Sequence, residues 1–128
     1  MRSVMSVLVL GALVGGCSSS TGLGSSVVGK WSQVEQIPGN SVEMTLTSSG
    51  SSISGSGTWC GEALGCGVIT VSGTVSGDAI HLDIAYDNGL IEHFDGRISV
   101  LSTLEGSERG EFPRTPPQLP HAVTFRRA

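Results

Sequence analysis

Two histidines and two aspartates alternate along neighbouring segments of the chain in a pattern that could bind a metal ion. His81 and Asp83 are two residues apart, as are His93 and Asp95, and a turn-forming segment separates the two pairs. If the segments pair as antiparallel strands, the four side chains form a square on one face. Imidazole and carboxylate groups are suitable ligands for zinc or copper. The alternative is two exposed pairs of opposite charge that fix the strand register.

Two cysteines could form a structural disulfide. Five residues separate Cys60 from Cys66, and the flanking segments pair in register when these two cysteines face each other across a hairpin. Such a position is within disulfide reach. The spacing lacks the second cysteine or histidine pair of a zinc site. It also differs from the C-x-x-C of a redox motif. We therefore expect a Cys60–Cys66 disulfide.

The chain carries no recognisable catalytic motif. We find no nucleophile elbow, zinc-protease helix, phosphate loop or dinucleotide fingerprint in it. The net charge is −4, with Lys30 as the single lysine, so no basic patch indicates nucleic acid. We expect a protein that is not an enzyme, needs no cofactor and binds no nucleic acid.

The elements that position these residues are short strands separated by turns. Glycine occurs 19 times, aliphatic residues alternate with polar ones, and no segment has a helical period. This pattern predicts an all-β, antiparallel up-and-down meander of about eight strands. Because closure removes exposed edges, we expect a closed or nearly closed small barrel rather than a sandwich. The predicted strands span residues 28–37, 41–48, 51–59, 67–76, 79–86, 90–100, 102–108 and 121–127.

The register of the fifth and sixth strands depends on the loop between them. A three-residue loop with Gly89 in the left-handed region places Leu82 opposite Phe94 and Ile84 opposite Glu92. This register keeps one face apolar apart from Glu92. The Glu92 carboxylate then orients a ligand, pairs with Arg127 or Tyr86, or lies in water at the barrel mouth.

The beginning of the chain has the features of a secretory signal. Residues 4–14 form an apolar run after Arg2, too short for a membrane span of about 20 residues. The segment 13–17, Leu-Val-Gly-Gly-Cys, resembles a bacterial lipobox, with Val14 where leucine is usual. The resemblance implies cleavage before Cys17, acylation of Cys17, and attachment to the membrane.

The segment after Cys17 supports this resemblance. Residues 18–26 are rich in serine and glycine, which is typical of a flexible tether. We therefore divide the chain into a signal peptide (1–16), a lipidated cysteine with its tether (17–26) and a barrel domain (27–128). The residue after the cysteine is Ser18 rather than an aspartate. By resemblance, this favours the outer membrane of the cell envelope over retention in the inner membrane. The alternative is an ordinary signal peptide followed by a buried cysteine.

Both ends of the barrel domain resemble the calycins, the group that includes lipocalins and avidins. Gly29 and Trp31 form a G-x-W motif in the first strand, and Arg127 lies in the last. In that family an arginine from the end of the chain covers the tryptophan of the motif, so the resemblance implies a cation–π contact between Arg127 and Trp31. Biotin binding is not implied, because Trp31 and Trp59 are the only tryptophans.

These features lead to one hypothesis and two alternatives. We expect a lipid-anchored envelope protein that binds a small, partly apolar ligand through Trp31, Tyr86, Glu92, Phe94 and Arg127. One alternative is an interaction or inhibitor module that contacts a periplasmic protein through loop 61–65 or the Pro-rich segment 108–121. The other is a structural protein with no pocket. Nine residues are expected inside the barrel: Trp31, Met44, Ile69, Val71, Leu82, Ile84, Tyr86, Phe94 and Phe125.

Overall fold

The computed structural model describes residues 27–34, 39–99, 102–116 and 118–128. The predicted signal segment 1–16, Cys17 and the tether 17–26 lie outside the described residues. Within the described part, no helix is long and apolar enough to cross a membrane.

The described chain forms eight antiparallel strands in sequence order around a closed barrel. Each strand pairs with the next, and β1 closes the sheet by pairing with β8. The predicted all-β meander is confirmed, and it closes as a barrel rather than a sandwich. The strands are β1 (Gly29–Gln33), β2 (Ser41–Ser49), β3 (Ser52–Gly61), β4 (Gly65–Ser76), β5 (Ala79–Tyr86), β6 (Ile91–Ile98), β7 (Thr103–Glu111) and β8 (His121–Arg127).

The predicted registers of the two hairpins are confirmed. Leu82 pairs with Phe94 and Ile84 with Glu92, across a loop in which Gly89 has a φ of +96°. In the other hairpin Cys60 pairs with Cys66, and the two side chains form the expected disulfide. A closed loop this short limits the unfolded chain only modestly, so the disulfide contributes about 2–3 kcal/mol.

Two strand ends differ from the prediction by three or more residues. β7 continues to Glu111 instead of ending at 108, because the start of β6 supplies partners as far as Ile91. β1 ends at Gln33 rather than 37, and residues 35–37 of that prediction lie outside the described part. The longer β7 adds one inward position, Gly110, to the barrel wall.

The inward face of the strands forms one apolar core. Leu82, Phe94 and Phe125 are fully buried, and the two phenylalanine rings meet edge to face with centroids 5.2 Å apart. Eight of the nine predicted interior residues are buried, while Tyr86 is partly buried and packs against the core from the open end. The side chains of the barrel itself therefore fill its middle.

Glycines in the wall allow close approach of neighbouring strands. A Cβ atom at Gly57 would lie 1.9 Å from the carbonyl oxygen of Glu43 on the adjacent β2. Large side chains lie opposite these glycines, with Ile69 across from Gly57 and Val71 across from Gly55. The pairing of one large residue with one glycine lets a narrow barrel bend without losing its packing.

Trp31 closes one end of the barrel. Its ring is fully buried, and its Nε1 donates a hydrogen bond of 2.8 Å to the carbonyl oxygen of Val27. The Arg127 guanidinium lies 4.5 Å from the centre of the Trp31 ring and donates to the carbonyl oxygen of Val28 at 2.9 Å. The predicted contact between Arg127 and Trp31 is present, and a small eight-stranded barrel of this kind is consistent with a calycin-like fold.

Candidate functional site

The end of the barrel opposite Trp31 contains a pocket of about 240 Å³. It lies where β5 ends and β6 begins, with the β1–β2, β3–β4 and β7–β8 connections around it. Its wall combines apolar groups with amides, carboxylates and an imidazole. The lining includes Gln33, Asn40, Val42, Trp59, Leu64, Tyr86, Leu90, Glu92, Glu108, Gln118 and His121.

Two aromatic rings form one wall of this pocket. Trp59 and Tyr86 meet edge to face, with ring centroids 6.0 Å apart. The Trp59 Nε1 donates to the Asp87 carboxylate at 2.8 Å, and the same carboxylate accepts from the Val68 backbone N–H at 3.2 Å. These bonds lower the pKa of Asp87, with the Trp59 bond as the largest cause. Asp87 thus fixes the orientation of the indole.

Glu92 brings a carboxylate to the same wall. Burial raises the pKa of Glu92, although a hydrogen bond from the Tyr86 hydroxyl opposes that shift. Burial, followed by the neighbouring Glu92 charge, also raises the pKa of Tyr86, so the phenol stays protonated and donates. Of the alternatives that the sequence left open for Glu92, the structure contains the hydrogen bond with Tyr86. Arg127 as its partner is wrong, because Arg127 lies at the closed end.

Glu108 and His121 lie directly opposite each other on β7 and β8. The sequence predicted them only as the ends of the Pro-rich segment 108–121, with no part in a metal or small-molecule site. Glu108 is only 2% exposed, and its Oε1 lies 3.9 Å from Nε2 of His121. Its Oε2 is buried without a hydrogen-bond partner among the described residues. The alternation of Leu104, Gly106 and Glu108 along β7 is the signal that could have placed Glu108 on the inward face.

The five residues predicted to bind a ligand lie in different parts of the barrel. Tyr86 and Glu92 line the pocket together. Trp31 and Phe94 are fully buried in the core, and neither lines this pocket. Arg127 covers Trp31 at the opposite end. The pocket is therefore built from the last inward residue of several strands rather than from the barrel axis.

The outer face carries a second candidate site, which we call the histidine–carboxylate chain: Asp95, His81, Asp83, His93 and Glu111. The predicted pairings of His81 with Asp95 and of Asp83 with His93 are confirmed. His81 contacts Asp95 at 2.7 Å and Asp83 at 2.9 Å, while His93 contacts Asp83 at 2.6 Å and Glu111 at 3.0 Å. Glu111 was missed because it lies beyond the predicted end of β7.

Both rings of this chain are placed to carry a positive charge. Each ring nitrogen faces a carboxylate oxygen, and an ionised carboxylate only accepts hydrogen bonds, so both nitrogens donate only in the protonated imidazole. The hydrogen bond with Asp95 is the main cause that raises the pKa of His81, and the bonds with Asp83 and Glu111 raise that of His93. Burial opposes ionisation of Asp83, but its hydrogen bonds and charge contacts with His93 and His81 lower its pKa overall.

Stability should fall as the pH rises through the pKa values of His81 and His93 in the folded state. Both folded-state pKa values lie above the unfolded value of 6.5, so the stabilisation is complete below that value and is lost above the raised ones. Urea unfolding between about pH 6 and about pH 9 measures the loss. The double variant His81→Gln/His93→Gln should flatten this slope, and an unchanged slope would refute the assignment.

The histidine–carboxylate chain contains the predicted metal site. One ligand atom each from His81, Asp83 and His93 lies within 4.8 Å of the others, and the two rings stack with centroids 6.4 Å apart. Asp95 bonds His81 but does not belong to this group of three. A metal ion would have to displace the protons that hold the chain together, so zinc or copper binding here stays a prediction.

No protein-family model, no curated protein and no solved structure matches the chain.

Proposed function

We propose that the protein is a lipid-anchored lipoprotein of the bacterial cell envelope whose barrel binds a small, partly apolar molecule at its open end. The observation that carries the binding proposal is the pocket of about 240 Å³ lined by Trp59, Tyr86 and Glu92. A drug-sized ligand needs a cavity of roughly 300–1,000 Å³. The pocket therefore suits a smaller molecule.

The chemistry of the wall indicates what such a molecule carries. The Trp59–Tyr86 pair and Val42 offer an apolar contact for one part of the ligand. Glu92 and Glu108 offer acceptors for a hydrogen-bond donor on another part. An amine, alcohol or phenol with a short apolar body satisfies both. The carboxylates disfavour an anionic ligand.

The proposed attachment rests on the sequence around Cys17. The acylated Cys17 places the barrel at the membrane, with the outer membrane as its location and the periplasm or the cell surface as the side it faces. Stable attachment requires more than one acyl chain, which the lipobox-type modification supplies. The Cys60–Cys66 disulfide is consistent with an oxidising compartment outside the cytoplasm.

The two indole N–H groups offer a direct test of pocket binding by NMR. Small amines, alcohols and phenols are titrated into the full chain while the two indole signals are followed. We expect the Trp59 signal to move and the Trp31 signal to stay, because they lie at opposite ends of the barrel. In the Tyr86→Ala variant the Trp59 shift should weaken. Equal movement of both signals, or of neither, would contradict the proposal.

A specific observation also favours the alternative of an interaction module. Leu64, in the loop that the disulfide closes, is 77% exposed, and Leu119 in the β7–β8 connection is 87% exposed. Both residues belong to the open end of the barrel. A protein ligand whose affinity falls with Leu64→Asp but not with Tyr86→Ala would favour the interaction module over the pocket. A structural role without a pocket predicts that neither variant affects binding.

A further inference from the structure

We propose that Glu92, Glu108 and His121 bind a divalent transition-metal ion of the zinc class at the inner wall of the open-end pocket. The inference rests on the proposed function in one respect, since the metal ion reaches its ligands through the same open pocket. The metal ion is distinct from the organic ligand proposed for the apolar wall. Its ligands are also different residues from those of the histidine–carboxylate chain on the outer face.

Three adjacent strands bring the three ligand side chains together. Glu108 on β7 pairs directly with His121 on β8. Glu92 on β6 pairs with Gly110, two residues beyond Glu108 on the same inward face of β7. One donor atom from each of the three side chains lies within 4.8 Å of the other two. These positions belong to the barrel wall rather than to a loop, so the arrangement is held by the sheet.

One oxygen of the buried Glu108 carboxylate has no partner among the described residues, and the other has only the His121 imidazole at 3.9 Å. The Glu108 side chain is 2% exposed, and its Oε2 lacks a hydrogen bond among the described residues. Burial of an ionised carboxylate without compensation is costly, and a second carboxylate nearby adds repulsion. A bound divalent cation would satisfy Oε2 and neutralise both charges. Buried polar groups in native proteins nearly always have a partner, and a bound ion is one of the partners that can satisfy them.

The donor set fits a metal ion of this class. Zinc accepts imidazole nitrogen and carboxylate oxygen at about 2.0–2.2 Å, and three protein ligands leave one position for a small molecule or water. Tetrahedral ligands at that length are about 3.4 Å apart. The Glu108 and His121 atoms, now 3.9 Å apart, need only a small side-chain movement. The Tyr86 hydrogen bond orients Glu92 in the manner of an outer-shell partner.

Zinc titration of the full chain tests the proposal in a background that lacks the outer histidines. The His81→Gln/His93→Gln variant removes the competing donors, and isothermal calorimetry with Zn²⁺ then counts the remaining sites. We expect one zinc ion per chain. Because even outer-shell changes reduce metal affinity about 10–100-fold, His121→Gln and Glu108→Gln should each weaken binding by at least about tenfold. Glu105→Gln, at an exposed carboxylate elsewhere on β7, is the matched control.

Each outcome separates the metal site from the small-molecule pocket. His121 is 46% exposed in its side chain, so its replacement leaves a folded barrel even where Glu108→Gln does not. Zinc binding that is absent, or that survives His121→Gln unchanged, would overturn the metal site. A calorimetric titration in which methylammonium binds and Zn²⁺ does not would overturn the metal site as well. If zinc fails while organic probes still shift the Trp59 signal, the metal site alone is refuted.

Discussion

Replacing Trp31 with alanine should destabilise the barrel by about 3–5 kcal/mol, the range for truncating a large buried aromatic side chain. Trp31 is exposed neither to water nor to the open-end pocket. Its ring is fully buried, its Nε1 donates to the Val27 carbonyl oxygen, and the Arg127 guanidinium covers it. The alanine variant leaves a cavity and removes the group that closes this end. Small domains are stable by about 5–15 kcal/mol, so a large share of the folding free energy is lost.

Chemical denaturation of three variants checks this expectation. Trp59→Ala is the matched control, because it removes the same side chain at the partly open end and should cost clearly less. Arg127→Ala removes the cation–π contact, worth about 0.5–2 kcal/mol, and should fall well short of Trp31→Ala. Equal losses for Trp31→Ala and Trp59→Ala would mean that the closed end does not carry the stability we assign to it.

Replacing Cys17 with serine should move essentially all of the protein from the membrane fraction to the soluble fraction. Serine lacks the thiol that the lipobox modification acylates, and stable anchoring depends on the acyl chains. Fractionation of expressing bacteria, followed by intact-mass measurement, reports both the location and the loss of the lipid mass.

The other two cysteines provide the control for this experiment. A Cys60→Ser/Cys66→Ser variant lacks the disulfide but keeps Cys17, so it should stay in the membrane fraction. Retention of the Cys17→Ser protein in the membrane fraction, or acylation of it elsewhere, would contradict the anchor.

The strand pattern could be predicted because local signals and global packing agree. In the β5–β6 hairpin the apolar alternation of Leu82 and Ile84 permits one register only, and Gly89 supplies the turn that this register needs. The β3–β4 hairpin is likewise specified by the facing cysteines and by glycines opposite large residues. The register then placed the outer histidines beside their carboxylates without further information.

The open-end pocket was harder to predict because it depends on where the strands end. Glu108 and His121 are 13 residues apart in sequence, and only the β7–β8 pairing brings them together. No hydropathy pattern distinguishes a carboxylate inside the barrel from one at the start of a loop. The same difficulty hid Glu111, whose contact with His93 depends on three further residues of β7.

Trp31 and Phe94 were predicted as ligand contacts because inward aromatic residues of a barrel can line either a cavity or a core. Their alternation shows the face but not the depth. In this narrow barrel Trp31 and Phe94 are fully buried, and Phe94 packs edge to face against Phe125. The proposed ligand contacts therefore lie at the rim of the barrel. Tyr86 is the last inward residue of β5, and Glu92 is the first inward residue of β6.

We propose that the open end of the barrel holds a small molecule. The most direct measurement is native mass spectrometry of the full chain, extracted from the bacterial envelope in a mild detergent. We predict a non-covalent adduct of small mass that collisional activation releases, and that Tyr86→Ala diminishes. A protein that carries only its covalent lipid under the gentlest conditions, with a Trp59 signal that no organic probe shifts, would contradict the claim.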